Sequence, residues 1–282
     1  MSTPEAHAAA GSEILIAPPG RWGSLKLGEL WGHRELIYFL TKRELQVRYK
    51  QSFFGVSWAL IQPLVLAFTF ALLFGKLVTV PSEIPYPVFA VAGIVPWLFT
   101  AQAVTNSANS LVQDANLISK VYFPRLALPI SKAMSLIVDL VISFSVVIVV
   151  ALVYGVSIEP TVVLVPVFML LGVLTTFALG ALLAAINVKY RDVQLVVPML
   201  IQILFFASPV AYATGQIVKG DWIYLYSINP MVTVLDGLRW AMFGTPAPPD
   251  GAIAVSVGTA LLLTAVALRY FQRTEHYFAD VV

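Results

Sequence analysis

The run from Leu126 to Tyr154 carries charge only at Lys132 and Asp139, and it exceeds the roughly 18 residues at which an apolar stretch reads as a membrane-crossing helix. Five more stretches share its character: about Phe53–Leu77, Val88–Asn106, Val162–Asn187, Val193–Tyr212 and Ile253–Phe271. A lipid-facing backbone must satisfy its own hydrogen bonds, so runs of this kind cross as helices. Composition agrees, with 11% charged residues against about 25% in soluble domains. The expected fold is an all-α polytopic membrane domain with six transmembrane helices over 53–272.

Around that domain the pattern predicts four further parts. Residues 1–29 form a cytoplasmic N-terminal tail, whose first twenty residues lack the basic-then-apolar order of a signal peptide and are expected to be unstructured. Residues 30–52 form an amphipathic interface helix, with Leu36, Ile37, Leu40 and Val47 on one side and Glu35, Lys42, Arg43, Gln46 and Lys50 roughly opposite. Between the second and third spans, Ser110 and Gln113 have capping-box spacing, and Leu111, Ala115, Ile118 and Tyr122 recur at helical intervals. That predicts a separate cytoplasmic helix ended by Pro124. Between the fifth and sixth spans, the apolar pieces of 213–246 are too short to cross, so re-entrant or interfacial helices are expected on the outer side. Residues 273–282 form a cytoplasmic C-terminal tail.

Six spans put both termini on one side, and the basic residues choose that side. Fourteen of the 17 Lys and Arg residues fall on or toward the side assigned inside, leaving Lys76, Lys219 and Arg239 outside. Within the fourth span Gly172, Thr176, Gly180 and Ala184 recur every four residues and allow close helix approach, within one chain or between copies. Asp139, near the middle of the third span, reads either as a hydrogen-bonded packing residue or as part of a translocation path.

Catalytic constellations are absent from the pattern. There are no cysteines, and His7, His33 and His276 have no ligand spacing. The outer carboxylates Glu83, Glu159, Asp221, Asp236 and Asp250 include no closely spaced acidic pair. A phosphate loop begun by Gly215 and Gly220 fails at Asp221, where lysine is required. The chain therefore reads as non-catalytic, with no cofactor of its own. A transporter without an energy source but with ordered inner surfaces (the basic helix, the 110–122 stretch and the turn NVKYRDV) suggests a separate motor subunit.

The stretches YKQSFFGVSWALIQPL, ISKVYFPRLALP and NVKYRDV, the SPV of Ser208–Val210, the INP of Ile228–Pro230 and the terminal FADVV occur in order over about 25–282. As a set they resemble the membrane subunit of ABC-2-type polysaccharide exporters, the family that moves O-antigen, teichoic acid or related lipid-linked glycans. The resemblance implies two copies of this chain paired with two copies of a soluble ATPase, which holds the ATP and Mg²⁺. It implies a polysaccharide on a polyprenyl-diphosphate carrier, the bacterial inner membrane with its lipids, and no nucleic-acid partner. Rival readings are an ABC-2 exporter of a drug, antibiotic or small lipid, and a membrane-embedded enzyme of glycan assembly.

On that resemblance, Lys42, Arg43 and Glu44 on the basic helix are expected to dock on the ATPase, with Arg191 and Asp192 stabilising the nearby inner surface. The carrier's diphosphate calls for arginine, which can bind it through two hydrogen bonds. Arg125 at the mouth of the third span and Arg48 are the candidates. An outer gate or glycan path is expected from Trp222, Tyr224, Tyr226 and Trp240, with Asp236 and Arg239 one turn apart and facing a second copy.

Overall fold

A computed structural model describes residues 27–50, 54–76, 84–121 and 123–275. Residues 1–26, 51–53, 77–83, 122 and 276–282 lie outside it, and with them most of both expected tails. Every regular element among the described residues is helical. The short α1 (Leu27–Gly32) and α2 (Arg34–Lys50) precede α3 (Trp58–Phe74). Then come α4 (Tyr86–Gln113), the single turn α5 (Ala115–Ile118), α6 (Ala127–Val153), α7 (Val165–Lys189) and α8 (Val193–Phe206). Two short pieces, α9 (Thr214–Ile217) and α10 (Trp222–Tyr226), lead to α11 (Pro230–Phe243) and α12 (Asp250–Thr274).

Five of these helices are long and apolar enough to cross a membrane: the first with its leading turn from Gly55, then α4, α6, α7 and α12. The fifth expected span, Val193–Tyr212, is shorter in the structure than its apolar run. Helix α8 has 14 residues, which is about 21 Å and falls short of the roughly 30 Å hydrocarbon core by itself. The chain beyond it, through Ser208 and Pro209, is irregular.

Helix α4 is the hub. Of its most apolar stretch 78% is buried, against 11% for the first span, and it packs on α3, α6, α7, α8 and α11. Its small residues make this possible: Ala90, Ala92, Ala103, Ser107 and Ala108 are all fully or nearly buried. The four-residue repeat of α7 meets this helix within the one chain. A Cβ on Gly180 would stand 2.7 Å from Cβ of Ser107, and Thr176 Oγ1 donates to Thr100 Oγ1 at 3.2 Å. Gly172 meets Val234 of α11 instead, again internally. Dense interiors are felt at the level of single methylenes, so these glycines set the helix spacing.

The expected cytoplasmic helix over 110–122 is corrected by the structure. Helix α4 continues unbroken through Asn106 and Asn109 to Gln113, and only α5 is separate. Ser110 is not a cap; it is fully buried and donates to Ser107 O at 2.7 Å. Polar groups just past the expected end of the span at Asn106 are bonded inside the bundle. Asn187 Nδ2 of α7 donates to Ala108 O at 2.9 Å and to Asn109 Oδ1 at 3.2 Å, so the helix need not end.

Proline inside α3 has a similar tertiary remedy. Pro63 lacks the N–H that would bond Ala59 O four residues back, and Ser143 Oγ of α6 donates to that carbonyl at 2.7 Å. An apolar cluster joins Leu40 of α2, Leu111 near the end of α4, Leu128 near the start of α6, Val188 at the end of α7 and Phe271 at the end of α12. The described chain thus enters and leaves the bundle at the same end.

Candidate functional site

At the end that carries α2, the basic helix does not stand apart from the bundle. It runs beside the first half of α6 in the same direction, so that Glu44 meets Lys132 and Arg48 meets Ser135 and Asp139 about a turn further on. Lys132 Nζ lies 2.9 Å from Glu44 Oε2 and 3.5 Å from Asp114 Oδ2. Arg43 Nη2 bridges the same two carboxylates, at 3.2 Å from Glu44 Oε1 and 2.5 Å from Asp114 Oδ1. Two cations and two anions from three elements therefore close into one neutral network. The hydrogen bond that Arg43 donates to Asp114 is the main reason that its guanidinium sits above its ordinary pKa, with Glu44 adding to it. Lys132 shows only 10% of its side chain to solvent. Removing a partner from such a group leaves an uncompensated buried charge, which costs about 3–5 kcal/mol.

One turn on, Arg48 Nη1 lies 2.5 Å from Asp139 Oδ2, Arg48 Nη2 donates to Ser135 Oγ at 3.1 Å, and the Tyr49 hydroxyl donates to Asp139 Oδ1. The carboxylate inside the third span is thus hydrogen-bonded by two residues of the basic helix. Beside it is a cavity of about 110 Å³ between α2, α3, α4 and α6. At the start of α6, the backbone N–H of Arg125 donates to Glu275 Oε1 at 3.3 Å and its guanidinium donates to the Glu275 carbonyl. This clamps the start of α6 to the end of α12.

At the opposite end the chemistry is different. Arg239 is 1% exposed, and its guanidinium donates to Phe89 O at 3.2 Å, Pro209 O at 2.6 Å and Val210 O at 2.6 Å. The same group lies 3.6 Å from the centre of the Phe89 ring, a cation–π contact. Asp236 Oδ1 is 3.8 Å away, and Asp236 Oδ2 accepts from Thr214 Oγ1 at 2.5 Å. Arg239 therefore caps the carbonyls that become free where α8 ends. A Cβ at Gly93 would overlap both the guanidinium and the Val210 carbonyl, so glycine is what admits the cation to this place. Helix α11 itself is sharply bounded, by Asn229 accepting from Met231 N at 3.1 Å with Pro230 in the first turn, and by Gly244 at φ 66° after it.

Residues 35–243, from the first turn of α2 to the end of α11, match the family described as ABC-2 type transporter. The chain belongs to the ABC-2 type transporter family. It is 32% identical over 256 residues to the O-antigen export system permease protein RfbA of Myxococcus xanthus, covering 90% of this chain and 98% of that one. It is 30% identical over 252 residues to a protein of the same name from Klebsiella pneumoniae, covering 88% and 95%. The polysialic acid transport protein KpsM of Escherichia coli is 25% identical over 209 residues, 72% of this chain and 79% of that one.

In this ABC-2 chain the expected site residues are distributed unevenly. Lys42, Arg191 and Asp192 are exposed, the last two on the turn between α7 and α8 at the end that carries α2. Arg43, also exposed with 44% of its side chain in solvent, and the partly buried Glu44 take part in the ion network that joins the helices. Arg48 is engaged by Asp139, and Arg125 by Glu275. The outer set also divides. Trp222 is 70% exposed and Tyr224 is exposed as well. Tyr226 shares a 2.7 Å hydrogen bond with Tyr212, and Trp240 packs edge-on to Phe168. Arg239 lies inside the chain, and Asp236 beside it is partly buried, with 18% of its side chain exposed. Their burial follows from the need of a guanidinium in an apolar end to find several acceptors at once. Sequence reasoning missed Asp114, Lys132, Tyr49 and Glu275 as partners. A signal existed for Lys132, one of only two charges in its run.

Proposed function

We propose that the chain is the membrane subunit of an ATP-driven exporter that carries a polysaccharide on a polyprenyl-diphosphate lipid across the bacterial inner membrane. Two copies act together with two copies of a soluble ATPase, and both termini face the cytoplasm. The observation that carries this reading is the likeness along 88–90% of the chain to relatives named as O-antigen export permeases. The crowding of basic residues at the α2 end supports the same orientation.

In this reading Lys42, Arg191 and Asp192 form the exposed docking surface for the ATPase. Arg43, Glu44, Asp114 and Lys132 are positioning residues that pass its movement from α2 to α4 and α6. The diphosphate contact is assigned first to Arg125, at the start of α6, and second to Arg48, which Asp139 holds. Trp222 and Tyr224 offer ring faces on the outer side over which sugar C–H faces can slide. Deleting the gene should leave lipid-linked polymer accumulating inside and none at the surface, with both restored by the intact chain. Normal surface polymer in the deletion strain removes this function.

A further inference from the structure

The cavity beside Asp139 is not part of the ion network, and its chemistry is specific. Its inner side holds Arg48, Tyr49 and Asp139, one wall holds Gln62 and Gln102, and its rim is Trp58, which is 51% exposed. Gly55, at the start of the first span, also lines it.

Three features define what it can take. Gln102 Nε2 donates to Gln62 Oε1 at 3.0 Å. Whichever way the two amides are turned, one NH₂ and one carbonyl remain for a ligand. A donor beside an acceptor is the complement of a hydroxyl group, which gives and accepts. Second, the ion pair of Arg48 with Asp139 cancels the local charge, so an anion would have to displace a carboxylate that is held by two donors. A neutral polar ligand meets no such cost. Third, the exposed indole of Trp58 offers a ring face for an apolar C–H surface. Hydroxyl complementarity, neutrality and an aromatic rim together describe a carbohydrate. A volume of about 110 Å³ equals the share of only about four waters, so it admits one edge of a sugar ring and no chain.

We infer that this cavity is a subsite for one neutral sugar residue, held by the Gln62–Gln102 amide pair and the Trp58 ring. The inference rests on the exporter reading and adds to it a point at which the glycan is recognised by its sugar rather than by its diphosphate. Glycerol and inositol headgroups share this chemistry, and the test separates them.

The full chain with its ATPase is placed in phosphatidylcholine nanodiscs and probed by saturation-transfer NMR with methyl glycosides of glucose, galactose, mannose and N-acetylglucosamine. At least one glycoside should bind, and Gln102→Leu or Trp58→Leu should each weaken it about fivefold, the loss of one net hydrogen bond or its equivalent. Trp58→Phe should retain binding, which shows that the ring rather than overall folding is read. Absence of any glycoside signal in a complex that still exports polymer overturns the subsite and leaves the exporter standing. Binding that is unchanged in both leucine variants overturns it as well. Loss of the sugar signal when phosphatidylglycerol or phosphatidylinositol is added assigns the cavity to a lipid headgroup, against the inference. A deletion strain with normal surface polymer would remove the exporter reading, and that result is independent of the NMR.

Discussion

Among the described residues two cations are buried, Lys132 at the α2 end and Arg239 at the other, and they are held in opposite ways. The partners of Lys132 are side-chain carboxylates, Glu44 of α2 and Asp114 after α4, and Arg43 shares both. Those of Arg239 are chiefly backbone carbonyls, of Phe89, Pro209 and Val210. Carboxylates can rotate and trade partners while their helices shift. Carbonyls move only when the backbone moves. The first arrangement is a joint between three elements, and the second is a pin through an irregular stretch.

The pin should give the largest effect. Arg239→Met leaves three carbonyls without their donor and Asp236 without its cation, and should cost about 3–5 kcal/mol. A thermal melt of the detergent-solubilised protein reads this as a large fall in midpoint. Gly93→Ala should move the melt in the same direction, because its methyl group takes the space of the guanidinium. A melt unchanged by Arg239→Met would make the two cations alike and dissolve the contrast.

The joint should be hurt less, and its damage should be reparable. Lys132→Met leaves two carboxylates facing one guanidinium and should cost about 2–3 kcal/mol, with part of that returned by the double variant Lys132→Met/Glu44→Gln through a coupling of about 1 kcal/mol or more. Equal or greater damage in the double variant would show that Lys132 and Glu44 do not act as a unit.

The exposed neighbours sharpen the same line. Lys42→Glu should leave the melt within about 0.5 kcal/mol of wild type while lowering transport-coupled ATP hydrolysis. Arg43→Glu should lower both, since it sets a third carboxylate against Glu44 and Asp114. The smallest effect belongs to Arg125→Lys. A lysine can still reach the Glu275 carbonyl, so stability should fall by less than about 1 kcal/mol while substrate-stimulated ATPase falls more than the basal rate.

Much of this fold was legible because the membrane imposes a simple rule on long apolar runs. Leu126–Tyr154 became Ala127–Val153, and Val162–Asn187 became Val165–Lys189. What failed was whatever depended on a partner far away in sequence. The second span was expected to end near Asn106 because Asn187, which donates to Ala108 O and Asn109 Oδ1 inside the bundle, lies some 80 positions on. Asp236 and Arg239 read as an exposed pair because their one-turn spacing was visible and the carbonyls around Arg239 were not. Asp139 could be singled out as costly in its span, but its donors Arg48 and Tyr49 sit on a helix assigned to the interface.

The contrast between joint and pin is tested most directly by counting polymer moved per ATP hydrolysed in inverted membrane vesicles, with the chain and its ATPase reconstituted together. Lys132→Met/Glu44→Gln should keep hydrolysing ATP while exporting several-fold less polymer per ATP. If hydrolysis and export instead fall in strict proportion, or if neither changes, the network at the α2 end does not couple the two, and the account is contradicted.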